Sequence, residues 1–168
     1  MTAHPLDQVL EEIRSLADSE RMKGTYLENL AKQFLLNNAT QRQMFSNVWT
    51  WSEWPDRPAH FTRKDNGIDL VAQRHDGAYT AVQVKFYASN HRIQKGDINS
   101  FLAESAREPF QYGLVIDTTE GQWSSTAESA LAELKTVTQR IGLPDLRGSD
   151  IDWTHYSPKD PNQDIEFL

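Results

Sequence analysis

The stretch Gly67-Ile-Asp-Leu-Val-Ala-Gln-Arg-His-Asp-Gly-Ala-Tyr-Thr-Ala-Val-Gln-Val-Lys85 decides the fold. Two β-favouring runs, 67–73 and 79–87, flank His75-Asp76-Gly77, and an Asp-Gly pair between such runs signals a hairpin. Period-2 alternation sets Gln83, Lys85 and Tyr87 on one face of the second strand, with Val82, Val84 and Phe86 on the other. In the first strand the same rule separates Asp69 from Ile68, Leu70 and Ala72. Register decides whether the polar residues meet. A strict two-residue turn pairs 69 with 84 and leaves Asp69 opposite the valine face. A three-residue loop pairs 69 with 83 or 85 and brings Asp69, Gln83 and Lys85 together, because a one-residue slip inverts a strand's faces.

Upstream, Leu6, Val9, Leu10 and Ile13 mark a short helix opening at Pro5. A longer helix is expected from Thr25 to Asn38, with Leu27, Leu30, Ala31, Phe34 and Leu35 as its apolar stripe. Thr25 and Glu28 fit a capping box at its start. Residues 45–54 read as a strand stopped by Pro55. Downstream, a helix over 95–106 and a buried strand around 112–118 precede a helix expected over 124–141. A last short strand is expected near 151–153, and the polar Ser157-Pro-Lys-Asp-Pro-Asn-Gln-Asp reads as a linker. The order α-α-β-β-β-α-β-α-β describes a mixed central sheet flanked by helices, an α/β fold.

Composition narrows the chemistry. The 168 residues make one domain. The absence of cysteine excludes disulfides, zinc ribbons, iron–sulfur clusters and cysteine nucleophiles. The net charge of −7 argues against holding nucleic acid by bulk charge. Its distribution says more. Residues 1–60 carry six basic and eight acidic side chains, 61–110 seven and six, and 111–168 four and ten. The acidity lies mostly in the last third, and the middle can face a polyanion. No run suits a membrane span or a secretory leader, so a reducing cytoplasmic setting without a membrane is expected.

Phosphate-binding glycine loops, dinucleotide fingerprints, zinc-protease helices and nucleophile elbows are all missing, and the five histidines have no ligand spacing. Asp69, Gln83 and Lys85 remain. A cross-strand Asp–Lys ion pair on a solvated face accounts for them as well as a catalytic site does. Glu28, on the flank of the helix stripe, can overhang the sheet, cap its helix, or pair with Lys32. Trp49 and Trp51 read as core aromatics. With Glu53 and Asp56 they also outline a carbohydrate site, which nothing else supports.

Gly67-x-Asp69 followed by Gln83-x-Lys85 resembles the PD-(D/E)XK nuclease motif in the Q-x-K form of Mrr-like restriction endonuclease domains. The segment from Asp117-Thr-Thr to the spaced alanines of 124–130 is similar to that family's next strand and helix. Val48-Trp-Thr-Trp-Ser-Glu-Trp-Pro and Asp97-Ile-Asn-Ser-Phe-Leu resemble the N-terminal nuclease domain of single-chain Type ISP restriction-modification enzymes and related predicted helicases. The likeness spans about residues 20–155. It implies a restriction-endonuclease-like fold, with a helix at 1–20, the nuclease domain at 21–156, and a linker at 157–168 toward a following translocase domain.

The resemblance also implies roles. Asp69 would be the main carboxylate ligand of a divalent metal, with Gln83, the Val84 backbone carbonyl and Glu28 completing its shell and Lys85 as the motif's lysine. Gln83 departs from the Glu or Asp of many relatives, supplying an oxygen without charge. Mg²⁺ suits such a set, because it takes oxygen ligands, keeps several waters and needs only one or two carboxylates; Mn²⁺ would substitute. Arg63, Lys64, Arg92 and Lys95 are candidate phosphate contacts, with Arg74 and Arg107 also near enough in sequence. The implied activity is phosphodiester hydrolysis in double-stranded DNA with little sequence preference, in a bacterial cytoplasm. The implied partners are an ATP-dependent translocase, a methyltransferase and a target-recognition domain in the same chain, plus a second nuclease domain for double-strand breaks. An inactive DNA-binding or docking module and a structure-specific resolvase of the same fold are the alternatives.

Overall fold

The computed structural model describes residues 3–61 and 67–168. The elements run α1 (Pro5–Leu16), α2 (Glu20–Asn37), α3 (Ala39–Met44), β1 (Phe45–Thr50), β2 (Leu70–Arg74), β3 (Tyr79–Lys85), α4 (Lys95–Ser105), β4 (Phe110–Asp117), α5 (Ser125–Ala132), β5 (Val137–Ile141) and α6 (Leu143–Arg147). One five-stranded sheet, in the order β1-β2-β3-β4-β5, is antiparallel across the first three strands and parallel from β3 to β5.

Helices cover both faces. Leu70, Ala72, Val82, Leu114 and Ile116 point toward α1, α2 and α6, where they meet Leu6, Ile13, Leu27, Phe34 and Leu146. Val71, Ala81 and Val115 point the other way, onto Ile98 and Phe101 of α4, Ala127 of α5, and Trp51, Trp54, Phe61 and Trp123 from the loops. The face that carries the polar residues is therefore a second core over most of its length, and only its end is open. Ile68 belongs to this second core and not with Leu70, because it lies before the regular strand begins. Trp51 is the centre of an aromatic cluster, 5.7 Å from Trp54 and 5.2 Å from Phe61 between ring centroids. The neighbouring carboxylates are engaged in holding this corner: Glu53 accepts from the Thr50 N–H and hydroxyl, and Asp56 from the Tyr79 hydroxyl. The sugar-binding reading has no free acid pair to rest on.

Several boundaries move. β1 stops at Thr50, where the Glu53 N–H bonds the Thr50 carbonyl in a turn. α2 begins at Glu20 with Ser19 capping Met22, and Thr25 bonds back to the Arg21 carbonyl one turn earlier, so the expected cap at Thr25 does not form. The helix expected over 124–141 ends at Ala132. Val137–Ile141 instead pairs in parallel with β4 as the edge strand β5. Its alternating exposure and its β-branched Val137 and Thr138 suit a strand, and pairing supplies the hydrogen bonds that a continued helix would have made internally. Near 151–153 only Ile151 bridges, to Phe167, and Trp153 starts a 3-10 turn. The 157–168 stretch folds back: Gln33 donates to the Pro161 carbonyl, and Ile165 packs on the first core.

Candidate active site

The hairpin uses the three-residue loop. Leu70 pairs with Val82 and Gln73 with Tyr79, and Arg74 and Ala78 close around His75-Asp76-Gly77. Gly77 takes φ +93, and Asp76 accepts the Ala78 N–H, which is the loop chemistry of a turn ending in a left-handed residue. At the other end the strands part beyond the Leu70–Val82 pair. The Asp69 N–H reaches the Val82 carbonyl at 2.8 Å, and Trp51 donates to the Asp69 carbonyl at 3.1 Å. Val84, past the last β2–β3 pair though still in register with Ile116 of β4, donates its N–H to Asp69 Oδ2 at 2.7 Å. The carboxylate is thus oriented by the backbone of the strand that carries Gln83 and Lys85.

Gly67 sets the depth of this end. Its φ is +94, and a Cβ there would lie 2.7 Å from the Ser100 Cβ and 2.9 Å from the Phe101 nitrogen. Only glycine lets the chain enter β2 in direct contact with α4. As a result, Gly67, Asp69, Gln83, Val84 and Lys85 line one cleft together with Gly96, Asp97 and Ser100 from the first turns of α4. A second cleft, on the α2 side, is lined by Arg21, Glu28, Asn29, Ser52, Asp69 and Val84 among others. Asp69 and Val84 are common to both. Glu28 comes from the layer beneath the opposite face of the sheet, and the parting of the strands lets it share a cleft with Asp69. Lys32 pairs with Glu53 at 3.5 Å, so the Glu28–Lys32 pair considered from sequence is not made.

The cleft contains an incomplete polar set. Gln83 is 4% exposed, and its Oε1 is buried without a hydrogen-bond partner. Among the described residues Trp54 Nε1, Thr80 Oγ1, Ser105 Oγ and Tyr156 OH are buried without a partner as well, each at a cost of about 1–3 kcal/mol, and of these atoms only Gln83 Oε1 belongs to a residue lining the cleft. The Lys85 ammonium has no hydrogen bond or ion pair among the described residues, so the cross-strand Asp69–Lys85 ion pair does not form. Among the described residues no three acidic or histidine side chains cluster as a metal cage. Three carboxylates (Glu28, Asp69 and Asp97), the Gln83 carboxamide and the cations Arg21 and Lys85 line the paired clefts, and Asp97 is engaged by its own helix cap. An all-oxygen set with few charges and an unpaired buried oxygen fits a hard divalent cation that retains water.

Asp97 was not singled out for a role from sequence. Its Oδ2 accepts from the Gln94 N–H at 2.8 Å and contacts His91 Nε2 at 3.2 Å, while the Tyr87 hydroxyl donates to Oδ1 at 3.1 Å. Burial works against the Asp97 charge, yet these bonds, led by the Gln94 N–H, hold its carboxyl below the usual range. Burial and the adjacent Asp97 push the Tyr87 hydroxyl up to about 12. The signals in sequence were the spacing of a helix cap, Gln94 to Asp97, and the Asp97-Ile-Asn-Ser-Phe-Leu block of the resemblance.

Of the cations expected at DNA, Arg92 and Lys95 are exposed on the β3–α4 side, whereas Arg63 and Lys64 lie outside the described residues. Arg74 stacks over Tyr112 at 3.9 Å, five residues along the strand from Asp69 and so about 16 Å away at ~3.3 Å per residue. Arg107 pairs with Glu104 and covers Phe61. Neither reaches the cleft.

A mixed sheet whose parted hairpin gathers Asp69, Gln83 and Lys85 in one cleft has the architecture of restriction-endonuclease folds. A family model described as restriction endonuclease (Mrr_cat_2) matches residues 36–163, and the chain belongs to that family. Among solved structures, the ATP-dependent Type ISP restriction-modification enzyme LlaBIII bound to DNA is similar over 94% of this chain, with 29% identity and a TM-score of 0.74. The modification-dependent restriction endonuclease AspBHI (15% identity, 88% of the chain, TM-score 0.55) shares the fold. So does the MspJI restriction endonuclease in complex with an oligonucleotide (14%, 83%, 0.53). The chain spans about 10% of the LlaBIII chain and 30–35% of the other two. No curated protein matches significantly. Among the described residues no helix is long and apolar enough to cross a membrane.

Proposed function

We propose that this chain is a Mg²⁺-dependent endodeoxyribonuclease domain, hydrolysing phosphodiester bonds with little sequence preference of its own. The observation that carries the reading is the buried Gln83 Oε1, without a hydrogen-bond partner, in one cleft with Asp69 and with Lys85, whose ammonium makes no ion pair among the described residues. Asp69, Gln83, Glu28 and the Val84 carbonyl would hold the cation, which supplies charge neutralisation and an acidified water. Asp69 keeps its orientation through the Val84 N–H, and Lys85 offers a compact positive charge to the attacking water or to the phosphate as its charge grows. Phe86 and Val84 pack the other face of β3 and hold Lys85 toward the cleft. Exposed Arg92 and Lys95, with Arg63 and Lys64, would contact flanking phosphates.

The small share of LlaBIII that the chain spans supports a place within a larger restriction-modification enzyme. Translocase, methyltransferase and target-recognition domains would accompany it there, in a bacterial cytoplasm, with the 157–168 stretch leading to the next domain. A double-strand break would need a second nuclease domain.

The test is cleavage of supercoiled plasmid with Mg²⁺ or Mn²⁺ by wild type, Asp69→Asn and Lys85→Ala, beside calorimetric metal titration with and without duplex DNA. Cleavage and metal binding lost in Asp69→Asn support the enzyme. Undiminished cleavage by either variant overturns the site, and absence of metal binding even with DNA points to a docking module.

A further inference from the structure

Two residues on one flank of α2 are poor choices for the helix that carries them. Arg21 is its second residue, where a positive side chain opposes the helix dipole. The cations around it are settled: Arg14 pairs with Glu11 and Lys23 with Glu20, and both lie over Phe86. The exposed Arg21 guanidinium has no ion pair, hydrogen bond or ring contact among the described residues. Gly24 stands inside the helix three residues on, and glycine is the poorest helix former after proline. A Cβ there would meet nothing within 4 Å, so packing within the chain does not call for the glycine. Both residues line the α2-side cleft that also holds Glu28 and Asp69.

We propose that the Arg21 side chain holds a DNA phosphate on the α2 side of the scissile one, and that Gly24 keeps the helix flank clear for the strand between them. The inference rests on the nuclease reading of the same site and adds where the DNA strand runs. The α2-side and α4-side clefts meet at Asp69 and Val84, with Arg21 in one and Lys85 in the other. A strand lying across Asp69 therefore meets a cation on either side. Arg21 and Glu28 are two turns apart, ~10 Å along the helix at ~1.5 Å per residue. At that distance Arg21 serves a flanking phosphate and leaves the carboxylates to the metal. Its planar fork can grip a phosphate through two parallel hydrogen bonds. Gly24 contributes clearance and no side-chain contact.

The experiment measures binding of a fluorescein-labelled duplex by anisotropy in EDTA, where cleavage is silent, across a series of NaCl concentrations. The variants are Arg21→Ala, Arg21→Lys, Gly24→Leu and Arg42→Ala. Arg42 lies in α3 over Phe167, at the opposite end of β1 from the cleft, so its removal changes net charge equally. Thermal melts and the KM and kcat of plasmid cleavage in Mg²⁺ accompany each, and KM decides if binding in EDTA is too weak to fit. Arg21→Ala should weaken binding about threefold to tenfold and reduce the slope of log K against log salt by about one. Arg21→Lys should restore most of that slope. Gly24→Leu should weaken binding with the slope kept. Melting temperatures should be unchanged or higher, because each change removes a cost to the helix. If Gly24→Leu melts early, the Arg21 variants decide. Wild-type affinity, slope and KM in Arg21→Ala, or an equal loss in Arg42→Ala, overturns the contact and leaves the nuclease reading intact. A wild-type chain that neither binds nor cleaves overturns both.

Discussion

Two aspartates of one sheet meet opposite fates. Asp117, at the end of β4, is fully buried and saturated. Arg140 grips it through Nε at 2.8 Å and Nη2 at 3.0 Å, Trp123 Nε1 donates at 3.2 Å, and the Thr119 N–H and hydroxyl bond Oδ1. Asp69 stands at the parted end of β2, half-buried, between two clefts whose walls include an unpaired buried oxygen and an unpaired ammonium. Lys85 is the register partner of Asp117 across β3 and β4, so the two environments touch. The saturated acid ties the edge strand to the sheet. Beside the other acid, Gln83 Oε1 is buried without a partner and, among the described residues, the Lys85 ammonium makes no ion pair.

The comparison can be broken at either side. The largest effect is expected at Arg140. Arg140→Ala leaves a buried carboxylate without its cation and should cost about 3–5 kcal/mol in urea unfolding. A loss below 1 kcal/mol would mean that the pair is not structural. At the other acid, Asp69→Asn and Lys85→Ala should leave the unfolding midpoint near wild type and lower the single-turnover cleavage rate by roughly 10²–10³-fold or more.

Gln83 sharpens the contrast. Gln83→Met removes an unpaired oxygen at similar volume, and should be neutral or stabilising by about 1 kcal/mol while cleavage falls. Gln83→Glu should reduce the Mg²⁺ concentration for half-maximal cleavage severalfold. A destabilised, fully active Gln83→Met would assign that side chain to the core.

The smallest effect is the pH dependence at Tyr87. Its hydroxyl titrates higher in the fold than in the unfolded chain, so its contribution is complete below about pH 10 and is lost as pH rises toward about 12. Burial raises Tyr156 too, so the measurement is the difference between wild type and Tyr87→Phe in alkaline unfolding. The variant should lose less stability over that window. Equal slopes would show that the Tyr87–Asp97 bond does not persist in solution.

Local pattern made the hairpin legible, because a two-residue alternation and an Asp-Gly loop are read within twenty residues. Residues 124–141 were not legible in that way. Their alanines at 127, 130 and 132 suit the helix that forms, Val137 and Thr138 lean toward a strand, and the open edge of β4 is what pairs Val137–Ile141. Arg140, and with it the Asp117 cluster, was hidden by the same misreading. Of the candidate site, Asp69, Gln83 and Lys85 could be named from their motif. Asp97 stood in the Asp97-Ile-Asn-Ser-Phe-Leu block of the resemblance, but its place on the cleft wall was set only where Gly67 brings α4 against β2.

The sequence by itself determined the α/β class, the alternation that puts Gln83 and Lys85 on one face, and the residues of the nuclease motif, since each depends on neighbours within one element. Tertiary structure alone decided that the loop has three residues, that both faces of the sheet are buried, and that Glu28 of the far layer lines a cleft with Asp69. Those outcomes depend on where separate elements come to rest. That is settled by burying two apolar cores at once, a condition summed over the whole chain and written in no single segment of it.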